Sequence, residues 1–90
     1  MSSVRIPPVL RAQTGGTREV EANGSTVGEV LRELATQYPS MESQLFADGG
    51  LQPYINVYVN NQDIQYLNKL DTPVGPSDTI ILLPAMAGGA

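Results

Sequence analysis

The part of this chain best suited to chemistry is a stretch of backbone rather than any side chain: the run Met86-Ala87-Gly88-Gly89-Ala90. It follows an apolar stretch, Thr79-Ile80-Ile81-Leu82-Leu83-Pro84, that reads as a buried strand. Such a strand fixes the root of a narrow arm. Glycine has no Cβ, so a glycine arm enters a tunnel that a side chain would block. From Ala85 to Gly89 the chain extends roughly 17 Å at about 3.3–3.6 Å per residue, enough to carry a carboxylate at Gly89 into the active site of another protein. A Gly-Gly pair near a chain end also describes ordinary fraying. Its place directly after a strongly apolar strand favours a functional arm, on a protein that is handled as a substrate and does not itself catalyse.

The remaining composition is poor in catalytic groups. The chain has no cysteine, which excludes disulfides, thiolate metal sites and a cysteine nucleophile. It also lacks histidine, the usual general base and commonest metal ligand. No bound cofactor or metal is expected. Ninety residues make one domain with a small core and little room for a deep cleft. A hydrophobic fraction of 41% with 16% charged residues fits a folded globular protein. The net charge is −4, and the five cations are Arg5, Arg11, Arg18, Arg32 and Lys69. So few cations argue against nucleic acid as a partner, and an acidic surface suits docking onto a basic one. No apolar run approaches the ~18–20 residues that span a bilayer, and no basic-then-apolar leader is visible. No membrane role is expected, and the expected location is the cytoplasm.

The elements that must position the arm follow from local pattern. Val4-Arg5-Ile6 starts a strand expected to run toward Val9-Leu10, interrupted by Pro7 and Pro8. Gln13-Thr14-Gly15-Gly16-Thr17 signals a turn, and Arg18 to Ala22 alternates as a half-exposed strand, so the two strands predict a hairpin. After Asn23-Gly24, Thr26 and Glu29 stand in capping-box register. Val27, Val30, Leu31, Leu34, Ala35 and Tyr38 then form one face of an amphipathic helix that Pro39 stops. Met41 and Leu45-Phe46 suit a short second helical turn, and Asp48-Gly49-Gly50 a loop. In Tyr54 to Val59 the core set is Ile55, Val57 and Val59, which leaves Tyr54 and Tyr58 on the opposite face. Asn60-Asn61 turns the chain. Gln62 to Leu70 is ambiguous, with Ile64, Leu67 and Leu70 as core contacts, and residues 71–78 are loop chemistry. The last strand, apolar on both faces, is expected at the centre of the sheet.

A hairpin, a crossing helix and a central last strand predict an α+β roll. The domain is expected over residues 1–84, with 85–90 as the tail.

Ile81-Leu82-Leu83-Pro84-Ala85-Met86-Ala87-Gly88-Gly89, with the strand order and the length, resembles the ubiquitin-like sulfur carriers of the ThiS/MoaD family. Arg5-Ile6-Pro7-Pro8-Val9-Leu10-Arg11, Thr14-Gly15-Gly16 and Tyr54-Ile55-Asn56-Val57-Tyr58-Val59-Asn60 look most like its actinobacterial, cysteine-forming branch. The resemblance implies a β-grasp fold, a mixed four- to five-stranded sheet packed on one main helix. It implies that an adenylating, ubiquitin-activating-like enzyme uses ATP to activate the Gly89 carboxylate, and that a sulfur donor then converts it to a thiocarboxylate. It further implies transfer to an activated serine derivative on a pyridoxal-phosphate-dependent cysteine synthase, an S-to-N acyl shift, and release of cysteine by a metalloprotease. Gly89 is the acceptor, and Gly88 and Ala87 give access to it. Molybdopterin, thiamine thiazole and secondary metabolites are other destinations for the same sulfur. Carriers of this family end at the second glycine, whereas here Ala90 follows and holds the Gly89 carbonyl as an amide. Either the bond between Gly89 and Ala90 is cleaved by a hydrolase such as that metalloprotease, or Ala90 is a residue added by cloning.

Other residues admit plainer readings. Tyr54 and Tyr58, with Leu82, are candidates for an apolar docking patch beside the tail, or are ordinary half-buried side chains. Glu19 and Glu21 alternate on one strand face as a solvated pair rather than an acid/base couple. Arg11 near Gly15-Gly16 describes an anion site or a plain turn. Lys69 is the sole lysine, which disfavours lysine-linked chains of this protein. A ubiquitin-like interaction or modifier module that never carries sulfur is the alternative from a different class.

Overall fold

A computed structural model describes residues 2–47 and 50–84. Met1, Asp48, Gly49 and the tail from Ala85 to Ala90 lie outside the described residues, and with them the readings placed there.

The chain opens with strand β1, Ser2–Arg5, which pairs antiparallel with β2, Glu19–Ala22. The predicted continuation of β1 toward Leu10 does not occur. Pro8 to Thr14 instead winds into a 3-10 helix, with Pro7 extended at its N-cap and Pro8 at a first-turn position. Proline suits that position because the N–H it lacks has no helical partner there in any case. Gly15, at φ +67°, closes the helix in the left-handed region, so the predicted turn is its cap.

The main helix, α1, spans Val27–Gln37. The Thr26 side chain accepts the Glu29 N–H at 3.2 Å, and Glu29 Oε1 accepts an N–H at 2.8 Å from Ser25 rather than from Thr26. Val27, Val30, Leu31 and Leu34 are buried, and Ala35 and Tyr38 half-buried, as the spacing predicts. Gly24 makes a close approach to this helix: a Cβ there would stand 2.6 Å from the Val30 backbone nitrogen. The loop before the last strand grips the same end, with Val27 donating to the Thr72 carbonyl and Val74 to that of Ser25, both at 2.9 Å.

Past Pro39 a 3-10 turn (Pro39–Met41) and the short helix α2 (Glu42–Leu45) bury Met41 and Leu45 beneath α1. A small antiparallel pair, β3 (Phe46–Ala47) and β4 (Gly50–Leu51), forms a separate sheet that the sequence pattern did not indicate. Strand β5, Ile55–Val59, buries Ile55, Val57 and Val59 as expected. Asn60 and Asn61, at φ +57° and +115°, form the two-residue turn into β6, Gln62–Asp63. The ambiguous stretch beyond resolves into 3-10 turns at Ile64–Tyr66 and Lys69–Asp71, with Ile64 buried and Leu67 and Leu70 half-buried.

The last strand, β7, is Thr79–Pro84. It enters the middle of a five-stranded sheet ordered β2-β1-β7-β5-β6, parallel to β1 and antiparallel to β5. The core lies between α1 and the face of the sheet that carries Val4, Val20, Val57, Ile80 and Leu82.

Candidate functional site

The other sheet face has no helix on it in the described fold. Residues alternate across a strand, and the inward set of β7 is Ile80 and Leu82, 0% and 1% exposed. The outward set is therefore Thr79, Ile81 and Leu83. The pairing registers line up one row across this face, Glu19–Arg5–Ile81–Tyr58–Asp63. Next to it Leu83 stands opposite Asn56. Tyr54, just before β5, is 42% exposed and Leu83 is 45% exposed; Tyr58 and Ile81, one row further along the face, are half-buried.

This corrects the docking assignment of Leu82. Leu82 pairs with Val57 and is sealed in the core, so it has no surface to offer a partner. Its neighbours Ile81 and Leu83 occupy the face on which Tyr54 and Tyr58 were placed. Within an all-apolar strand no local pattern separates the two faces. The one available signal was Thr79, the polar residue that shares parity with Ile81 and Leu83.

The root of β7 is fastened at its start. Asn60 Nδ2 donates to Asp78 Oδ1 at 2.9 Å, and the Gly75 N–H donates to Asp78 Oδ2 at 2.7 Å. Thr79 and Asn60 exchange two further bonds: the Thr79 N–H reaches Asn60 Oδ1, and the Asn60 N–H reaches the Thr79 carbonyl, each at 2.9 Å. The Asn60 side chain, and then the Gly75 N–H, stabilise the charged carboxylate and lower the Asp78 pKa. This clamp ties the β5–β6 turn to the strand from which the tail departs.

The site is thus a firmly rooted central strand, an open apolar face beside it, and the Gly88-Gly89 segment that follows in sequence. Ala87, Gly88, Gly89 and Ala90 lie outside the described residues. Among the described residues, no group of three or more His, Cys, Asp or Glu is placed to hold a metal ion. No helix among them is long and apolar enough to cross a membrane.

A mixed sheet packed on one main helix, with its last strand central and a Gly-Gly segment beyond, defines a β-grasp protein of the ubiquitin-like class. Within that class the ThiS family matches residues 4–89, and the chain belongs to it. It is 37% identical to the sulfur carrier protein CysO of Mycobacterium tuberculosis, over 97% of each chain. The CysO in the crystal structure of the Amycolatopsis orientalis BexX/CysO complex superposes with a TM-score of 0.92 at 38% identity, covering 99% of this chain and 100% of that one. Small archaeal modifier protein 3 of Haloferax volcanii is 34% identical over 72% of this chain and 71% of its own. The chain is accordingly a small protein of the sulfur-carrier class and not a catalyst.

Proposed function

We propose that this protein carries sulfur as a thiocarboxylate at Gly89 and delivers it for cysteine biosynthesis. The observation that supports this most directly is the extent of the family match, which runs through Gly88 and Gly89 and stops short of Ala90. Similarity to a sulfur carrier named CysO over 97% of the chain supports the cysteine destination. The chemistry begins with hydrolysis of the Gly89–Ala90 peptide bond by a protease, which frees the Gly89 carboxylate. An activating enzyme joins that carboxylate to the α-phosphate of ATP and releases pyrophosphate. Hydrosulfide supplied by the sulfur donor attacks the acyl carbon, the carbon–oxygen bond to AMP breaks, AMP leaves, and the thiocarboxylate remains. Splitting one difficult substitution into two easier ones is the logic of covalent activation.

The thiocarboxylate sulfur then bonds to the β-carbon of an activated serine derivative held by a pyridoxal-phosphate enzyme, the activated oxygen substituent departs from that carbon as the leaving group, and a thioester of cysteine results. An S-to-N acyl shift turns this into an amide, and hydrolysis by a metalloprotease frees cysteine and restores the carboxylate. The chain's own contribution is to present the acyl group at the end of the Gly88-Gly89 segment that follows β7, the strand whose outward residues Ile81 and Leu83 share a face with Tyr58.

The test is the intact mass of the protein from its own cells under sulfur-demanding growth. Loss of Ala90 together with oxygen-to-sulfur exchange is the expected result. A single species that keeps Ala90 overturns the assignment. A version ending at Gly89 is expected to be adenylated in the first cycle without the protease.

The 34% identity to a small archaeal modifier protein favours one second reading, attachment of Gly89 to lysines of target proteins. Isopeptide adducts that accumulate while no thiocarboxylate is found support that reading instead.

A further inference from the structure

The chain is acidic, and its five cations are spread from position 5 to position 69. The fold nevertheless brings three of them to one place. Arg5, Arg11 and Arg18, with Ile6 and Glu19, line a surface pocket of about 310 Å³. Arg5 ends β1, and Arg18 lies across from Ile6, whose N–H donates to the Arg18 carbonyl at 2.8 Å. Arg11 arrives from the 3-10 helix, and its Nε donates to the Ile6 carbonyl at 3.1 Å. That helix therefore does more than turn the chain: it returns an arginine to the end of β1. Three guanidinium groups against the single carboxylate of Glu19 leave the pocket cationic on an otherwise acidic molecule. Of the other two cations, Arg32 lies over the Phe46 ring at 5.0 Å and Lys69 lines a different cavity.

The location gives the pocket its meaning. β1 and β7 are parallel, and Arg5 is in register with Ile81. The ends of both strands therefore lie at the same edge of the sheet. Arg5 is level with a point three residues, about 10 Å, before Pro84, from which the tail continues. On its other side Ile81 leads into the apolar face of Tyr58 and Leu83. A cationic pocket and an apolar face thus adjoin beside the departing strand.

We infer that the arginine pocket docks an acidic segment of the protein that activates the tail. That segment's Asp or Glu carboxylates enter between Arg5, Arg11 and Arg18, and its apolar side chains cover Tyr58, Ile81 and Leu83. The planar, forked guanidinium matches a carboxylate in two-point fashion. Complementary charge at the rim speeds encounter and sets orientation, which delivers the tail to the active site in the correct direction. The Glu19 carboxylate in the pocket repels a compact phosphate dianion more than the singly charged carboxylates of a peptide, which favours a docking surface over a phosphate site. This inference rests on the carrier reading, because it supposes a partner that handles Gly89.

Two measurements on the full chain test it. In the first, NMR follows the arginine Nε–H signals at low salt during titration with a hexaglutamate peptide and, separately, with inorganic phosphate. Peptide-induced shifts confined to Arg5, Arg11 and Arg18, and lost in Arg5→Glu/Arg18→Glu, are expected. Both replaced residues are exposed and leave the Arg11–Ile6 bond in place. Diffuse shifts, or stronger binding of phosphate than of peptide, overturn the inference. In the second, the ATP–pyrophosphate exchange activity of the cells is assayed with the form ending at Gly89 as substrate. The double variant is expected to raise KM about tenfold at low salt, with the maximal rate retained and the salt dependence flattened. The charge-matched control Arg32→Glu/Lys69→Glu is expected to keep the original KM. Equal KM values for the double variant and the original chain overturn the inference. Absence of exchange with the original chain overturns the carrier reading instead, and the two failures are thereby distinguished.

Discussion

Leu82 and Leu83 are the same residue type, one peptide bond apart on the same strand, and they do opposite work. Leu82 faces α1 and is 1% exposed, whereas Leu83 faces outward and is 45% exposed. The inner set of β7 holds the fold together, and the outer set leaves apolar surface on the face proposed above to meet a partner. On the proposed function, the working surface lies on the reverse of the core, and strand parity separates stability from function.

The comparison is broken or sharpened by a graded set of changes. The largest effect is expected at the tail. Truncation before Gly89 is expected to abolish thiocarboxylate formation while thermal unfolding stays unchanged, since no buried core residue described lies beyond Leu82. Normal thiocarboxylate formation on that truncated chain removes Gly89 from the chemistry. Next in size is Leu82→Ala, which opens a cavity in the core. It is expected to destabilise by about 2–5 kcal/mol, read as a lower denaturant midpoint at unchanged slope. A loss below about 0.5 kcal/mol contradicts the inward placement.

Leu83→Ser is expected to do the reverse, changing stability by no more than about 0.5 kcal/mol while raising the KM for activation several-fold. Equal behaviour of Leu82→Ala and Leu83→Ser in both assays dissolves the distinction between the faces. The smallest effect concerns the clamp at the start of β7. The folded state lowers the Asp78 pKa, through Asn60 first and the Gly75 N–H second. The stabilising contribution is therefore present above the ordinary aspartate value of about 3.9 and is lost as pH falls through the lowered value. Asp78→Asn is expected to be slightly less stable than the original chain at neutral pH, with the difference shrinking below about pH 4. A difference that grows on acidification reverses the sign and rules out this role for the carboxylate.

Much of the fold was legible because its signals are local. The offsets from Val27 to Tyr38, the capping pair Thr26 and Glu29, and the alternation of Ile55, Val57 and Val59 depend on neighbours a few residues away. The 3-10 helix from Pro8 was missed because Val9 and Leu10 read as an extension of β1, while Pro7-Pro8 marks a helical start as readily as an interrupted edge. The pair β3–β4 and the strand β6 are two residues each, too short to leave a periodicity.

By itself, then, the sequence determined the main helix, the alternating strand before the Asn60-Asn61 turn, the apolar strand that had to be central, and the Gly88-Gly89 segment that points to carrier chemistry. Only the tertiary structure decided which of Ile80, Ile81, Leu82 and Leu83 turn outward, and that Arg5, Arg11 and Arg18 meet. The first outcome is set by contacts between segments distant in sequence, the second by the β1–β2 pairing and the 3-10 helix between its strands. The β5–β7 register opposes Val57 to Leu82, and the parallel β1–β7 pairing sets Arg5 beside Ile81. A strand that is apolar on both faces carries no local mark of parity, and scattered arginines carry no mark of convergence; packing the helix on one side of the sheet supplies the first, and the 3-10 helix returning Arg11 to the end of β1 supplies the second.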